Sequence, residues 1–254
     1  MAGRRCCPAV SDVSDMRLPI VCSQCLRENL ASARPLTTVE WNDEGRYEST
    51  CSLGHSFIVV VQEQKFELLF DIGAYAIIDG YYREAVSSFA SSLERFYEFF
   101  VASALYQIGV SVETVSTGWK LVSAQSERQL GAFIFLYVRE LKKTPILLTQ
   151  KSARLRNEVV HKGRIPSRQQ AFEYGTEVLA LVRDQLKELK QKFPEGVSMS
   201  IFEHLKRSRR EGDEWAGTMT IPTIISLSRD DEAYNNRTLP EAIEDLRKWM
   251  ARWG

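Results

Sequence analysis

Apolar residues follow two rhythms along this chain. Up to residue 62 they come in short β-prone runs between turn residues, and from Lys65 they recur at three- and four-residue steps. Residues 39–41, 46–50 and 56–61 are predicted strands, and Asn42-Asp43-Glu44-Gly45 between the first two reads as a hairpin turn. Residues 66–78 and 82–108 are predicted helices, parted near Gly80. In the second, Ala85, Phe89, Leu93, Phe96 and Phe100 form one stripe, which reads as a core face. Residues 110–118 break the rhythm. Ser126-x-x-Gln129 reads as a capping box opening a helix to Lys143, which Thr144-Pro145 closes. A helix over 147–161 ends at Gly163 as its C-cap, and Pro166-Ser167-x-x-Gln170 caps a long helix to about residue 193. Gly131 and Gly175 fall inside helices, where glycine costs about 1 kcal/mol against alanine. Close helix crossing is the expected reason for both. After Pro194-Glu195-Gly196 the pattern changes again, to a strand region over 219–227 interrupted by Pro222 and a short amphipathic helix over 239–253.

The predicted fold class is mostly α: an antiparallel helical bundle with a small β-rich unit at the N-terminus and a short α/β C-terminal extension. The expected divisions are a flexible leader over 1–17, the β-rich unit over 18–62, the bundle over 63–194 and an extension of unassigned role over 195–254. A chain of 254 residues has room for one good core and a small appendage.

Charge changes the picture locally. Lys+Arg and Asp+Glu are both 33, which excludes a globally basic nucleic-acid coat. Between residues 151 and 168, however, Lys151, Arg154, Arg156, Lys162, Arg164 and Arg168 face a single acid, Glu158. Lys206, Arg207, Arg209 and Arg210 form a second cluster. Such runs are usually solvated helix faces, but the first encloses one of only three histidines and reads as a phosphate track. No apolar run has membrane-spanning length, residues 1–17 hold no apolar signal core, and five cysteines do not make a disulfide framework at this size. The expected location is the cytoplasm, without membrane contact.

Cys22-x2-Cys25 and Cys51-x3-His55 are two knuckles lying 25 residues apart on turn-rich flanks of short strands. Zinc takes four nitrogen or sulfur ligands in a tetrahedron, and a two-residue spacing lets one tight turn deliver two thiolates. A unit of about 45 residues has little core of its own, so a metal staple is expected. Cys22, Cys25, Cys51 and His55 are the predicted ligands of a structural Zn2+, with Cys6 or Cys7 as an alternative to one of them. The segment resembles a zinc ribbon.

Arg156-Asn157-Glu158-Val159-Val160-His161-Lys162-Gly163 puts an arginine and a histidine five positions apart at a helix end. RNA carries its own nucleophile, the 2′-OH. Its cleavage needs a group that moves a proton and a cation that meets charge developing on the phosphate. His161 and Arg156 are of those types. On an ideal helix they stand about 140° apart, whereas Asn157 and His161 share a face. A composite cleft formed by two copies would bring arginine and histidine together. Residues 155–175 resemble the signature of HEPN domains, in which Arg, a polar residue, three variable residues and His end one helix of a bundle. Here these are Arg156, Asn157 and His161, and the resemblance covers about 65–193. It implies a metal-independent endoribonuclease, usually homodimeric and often part of prokaryotic defence or a toxin system. Some toxins of the family carry a tyrosine two residues after the histidine, where this chain has Gly163. On this reading Arg156, Asn157 and His161 are catalytic, and Lys151, Arg154, Lys162 and Arg164 hold the RNA backbone. A further protein partner would use the ribbon or the C-terminal extension. The alternative is a non-catalytic accessory module that binds nucleic acid or protein and uses the same residues structurally. Glu94 and Arg95 read as a salt-bridged pair at the bundle edge, with a role toward the cleft as the other option. His204, beside the second basic cluster, has no supporting pattern.

Overall fold

The computed structural model describes residues 17–28, 36–229 and 231–251. Cys6, Cys7 and almost all of the expected leader lie outside them. Arg17 does not belong to a leader, since it opens a strand. β1 (Arg17–Val21) leads into one helical turn, α1 (Ser23–Arg27), and pairs antiparallel with β2 (Leu36–Glu40). Pro19 hides β1 from a sequence reading, because proline demotes a strand; among the described residues β1 pairs only with β2, and a sheet edge tolerates proline. β3 (Arg46–Thr50) and β4 (Ser56–Val61) form an antiparallel pair at the predicted residues. The turn at Asn42 is no hairpin. It carries the chain from one sheet to the next, with Asn42 Oδ1 accepting the N–H groups of Glu44 and Gly45 at 3.1 and 2.9 Å.

Seven helices follow between residues 65 and 208: α2 (Lys65–Ile78), α3 (Tyr82–Gln107), α4 (Val112–Val122), α5 (Ser126–Leu141), α6 (Gln150–Lys162), α7 (Arg168–Lys192) and α8 (Pro194–Ser208), and later the single turn α9 (Glu232–Asn235). α10 (Leu239–Met250) comes last. The α3 stripe is the centre of the core. Phe100 meets Phe133 edge-on at 5.0 Å, and Phe89 lies 4.7 Å from Phe70. Phe89 also explains two glycines: a Cβ at Gly73 or Gly175 would sit 2.6 Å from its ring. Gly175 therefore marks a close crossing, as expected, but Gly131 does not, for nothing lies within 4 Å of its Cβ position.

Three helix ends differ from expectation. The box at Ser126 does not form; Gln129 instead bonds the Ser123 carbonyl at 2.7 Å and Arg95 at 2.9 Å. α4 was hidden because only Val115 on it is buried, although Ser111 caps it by accepting from Thr114 N–H at 3.2 Å. Pro194 starts a helix rather than ending one, since a first-turn position needs no donor. The Ser167–Gln170 box does form, and Gly163 ends α6 at φ +68°.

Gly196 fixes how α8 lies on α3. A Cβ there would stand 1.9 Å from the Ser103 carbonyl oxygen, and its N–H donates to Gln107 at 3.0 Å. Backbone cannot yield as a side-chain tip can, so Gly196→Ala is expected to destabilise the protein by about 3 kcal/mol. Urea unfolding measures this, and a change below about 1 kcal/mol would contradict the packing.

The C-terminal part does not stand apart. β5 (Gly217–Met219) adds to β4 in parallel, and Ile221 joins the ribbon core with Leu18, Ile20, Tyr47 and Phe57. Ile224, Ile225, Leu227 and α10 enter the helical core. Of the expected 219–227 strand region only Met219, the last residue of β5, is in a strand. The buried Arg46–Asp213 pair, bonded at 2.7 and 2.8 Å, is a further tie. Arg46 holds the Asp213 carboxyl well below the usual carboxylate range.

Candidate functional site

Two constellations carry chemistry. In the first, Cys22 precedes α1 and Cys25 lies within it, while Cys51 and His55 flank the tight turn between β3 and β4. Gly54 gives that turn its φ of +83°. Their ligand atoms all lie within 4.8 Å of one another. Cys25 Sγ is 3.8 Å from Cys51 Sγ and 3.3 Å from His55 Nδ1, and Cys22 Sγ is 3.9 Å from Nδ1. Bonds of about 2.3 Å to sulfur and about 2.0 Å to nitrogen put tetrahedral ligands about 3.5–3.8 Å apart. The four residues fit one metal ion. Burial, then the neighbouring sulfurs of Cys22 and Cys51, push the Cys25 thiol up to about 12. Burial also raises Cys51, but the backbone N–H groups of His55 and Leu53 outweigh it and lower the thiol. Crowded sulfurs that repel each other's negative charge are what a cation relieves. His55 Nε2 faces a Glu28 carboxylate oxygen at 3.9 Å, which favours Nδ1 as the ligand atom.

The second constellation surrounds the end of α6. Arg156 is largely buried, its side chain 16% exposed; Nη2 bonds Glu94 on α3, and Nη1 donates to Asn157 at 2.8 Å. Glu94 and Arg95 are thus not partners. Arg95 turns to Glu98 and Gln129 instead. His161 is exposed in the last turn of α6. Arg156 and His161 both bear weakly, through charge, on Glu127 in the first turn of α5. Its carboxyl is lowered first by its own backbone N–H, then by Ser126 and by the charges of Arg156 and His161.

Comparison with known proteins returned nothing. No family model, curated protein or solved structure matches the chain. The assignments rest on geometry and on the residues themselves.

The cation run of α6 divides in space. Lys151, Arg154 and Arg164 line a cleft of 330 Å³ between α6 and α7, with Tyr174 among its walls. Arg154 and Arg156 stand about 200° apart on an ideal helix, so this cleft opens away from the Arg156 face. Lys162 is exposed and belongs to neither group. Carboxylates inside and beyond the run also answer it. Glu173 holds Lys151 at 2.8 Å, Glu158 holds Arg164, and Glu177 accepts from Thr149 and Ser152 at the start of α6. The sequence showed six cations against one acid because the α7 acids lie outside that window. His204 is structural: its Nε2 donates to the Val61 carbonyl at 3.0 Å and joins α8 to β4.

Proposed function

We propose that this chain is a metal-independent endoribonuclease of HEPN type. Its cleavage site is built on Arg156, Asn157 and His161 toward the end of α6. The observation that supports this most is that Glu94 and Asn157 hold the Arg156 guanidinium near the end of α6, where His161 stands exposed in the last turn. In the reaction His161 takes the proton of the 2′-OH as that oxygen bonds to phosphorus. The P–O5′ bond breaks, and the departing oxygen receives the proton. Arg156 meets the charge that develops on the phosphoryl oxygens. Glu94 and Asn157 hold the guanidinium in place before RNA arrives. The α6–α7 cleft, with Lys151, Arg154 and Arg164, takes the backbone of the strand, and Lys162 adds a contact beside His161. Zn2+ on Cys22, Cys25, Cys51 and His55 is structural, because four protein ligands close its tetrahedron.

A second reading has its own support. Both terminal nitrogens of Arg156 already have partners, as a structural arginine would. The two readings separate in one assay. Mixed RNA is incubated in magnesium-free buffer with the wild type and with an Arg156→Ala/His161→Ala double variant. Cleavage by the wild type alone supports the enzyme; no cleavage, or equal cleavage by both, leaves the accessory module.

The partner copy belongs to the same proposal. On α5, Gly131 and Phe135 lie four residues apart on one face, with Phe135 78% exposed and open space at Gly131. A helix of a second copy lying across Gly131 would account for that glycine and bury Phe135 beside Glu127. The wild type is expected to run as a dimer by light scattering at micromolar concentration, and Phe135→Asp as a monomer with reduced cleavage. A monomeric wild type would contradict the interface.

A further inference from the structure

The helical bundle binds a stretch of its own chain as it would bind a peptide. Residues 221–227 form neither helix nor strand, yet Ile221, Ile224, Ile225 and Leu227 are buried. Buried backbone without a ladder needs other partners, and here both of its edges find side chains. On the α2 side, Glu63 accepts the Ile221 N–H at 2.9 Å, Asp71 that of Ile224 at 2.9 Å, and Glu67 that of Leu227 at 2.8 Å. These acids recur every four residues, on one face of α2 and its lead-in. On the α7 side, Arg183 donates to the Ile224 carbonyl at 3.1 Å and Lys190 to the Leu227 carbonyl at 3.0 Å. The Tyr234 hydroxyl donates to the Thr223 carbonyl. Ile224 and Leu227 are therefore read at both N–H and C=O by side chains alone.

Two features mark this contact. Glu63 Oε2 and Thr223 Oγ1, one on the groove and one on the segment, are buried without a partner among the described residues. Three carboxyls also face one another out of water. Burial pushes Glu63 up to about 7, and Glu67 and Asp71 up to about 8.

We propose that the groove between α2 and α7 is a recognition site for an extended peptide that offers an Ile-Ile-x-Leu pattern, which the chain fills with Ile224, Ile225 and Leu227 of its own residues 221–227. The same sequence in trans enters when this strap is lifted. Lifting it also draws β5 away from β4, so occupancy of the groove is coupled to the ribbon sheet. The proposal is independent of the cleavage reading.

The groups facing the strap are Glu63, Glu67 and Asp71 from α2 and its lead-in, Tyr75 beside Asp71, Arg183 and Lys190 from α7, and Tyr234 and Arg237 near α9. The carboxyls have folded-state values above their unfolded ones. The closed strap therefore loses stability as pH rises from about 4 through about 8.

The test uses the full chain carrying Ile224→Asp/Leu227→Asp, titrated with a fluorescent peptide of residues 217–229. The variant is expected to bind about 100-fold more tightly than the wild type, whose tethered strap competes at about millimolar effective concentration. Adding Arg183→Met should weaken that binding about tenfold. A variant that keeps its helical circular dichroism but ignores the peptide overturns the proposal. Should the variant not fold, amide exchange in the wild type decides. Ile224 and Leu227 amides should open about 100-fold more often than those of Phe96 and Phe100, with a wider gap at pH 8 than at pH 6 after correction for intrinsic rates. Equal protection of the two sets overturns it.

Discussion

Replacing Arg156 with alanine is expected to slow RNA cleavage about 10²–10³-fold while leaving RNA affinity nearly unchanged. The reason lies in where its charge is spent before and after RNA arrives. In the free protein the guanidinium rests on Glu94 and Asn157, so ground-state phosphate gains little from it. The transition state carries more charge on the phosphoryl oxygens and competes better for the same donors. His161→Ala should cost about 10²–10⁴-fold, because no other group at that helix end can move a proton near neutral pH. Lys162→Ala should do the opposite of Arg156→Ala: affinity falls, the rate at saturation holds, and the salt slope flattens by about 0.7. Single-turnover rates and salt titrations measure all three. Equal effects on rate and affinity for Arg156→Ala would mean that it only holds RNA.

Metal removal is the other large effect. Purified protein should contain about one zinc per chain, and Cys25→Ser should contain almost none. The ribbon core is small, built on Leu18, Ile20, Tyr47, Phe57, Val59 and the cysteines themselves. A structural zinc contributes roughly 10 kcal/mol to folding such a unit, more than this core can replace. The variant should lose the near-ultraviolet signal of Trp41 and Tyr47 and gain protease sensitivity before residue 62. The bundle keeps its own core around Phe66, Phe89 and Phe100, so most helical signal should remain. A metal-free wild type with an intact ribbon would contradict this.

The helices that carry dense apolar stripes were legible in the sequence. Phe89, Phe96 and Phe100 on α3 and the Ser167–Gln170 box on α7 needed only local spacing and local caps. The cluster of Cys22, Cys25, Cys51 and His55 was legible for the same reason, since each knuckle is a single turn. What escaped depended on distant partners. α4 buries only Val115, so its face carries little signal. β5 pairs with β4 across about 160 residues, and nothing in Gly217-Thr218-Met219 says so. The segment 221–227 looked like a strand because it is apolar; its N–H groups go to Glu63, Asp71 and Glu67, which no periodicity announces. At the candidate site, Arg156, Asn157 and His161 were visible as a motif. The Glu94 partner was not, because Arg95 beside it offered a nearer pairing. The basic run from Lys151 looked stronger than it is, because Glu173 and Glu177 approach it only once α7 folds back.

The chemistry of the product ends tests the central claim most directly. Attack by RNA's own 2′-OH leaves a 2′,3′-cyclic phosphate on one fragment and a 5′-hydroxyl on the other. The account predicts those ends in magnesium-free buffer from the wild type. It also predicts no cut where the 2′-OH is methylated, and none in DNA. A 5′-phosphate product, or DNA cut at a similar rate, would show that Arg156 and His161 do not act as described.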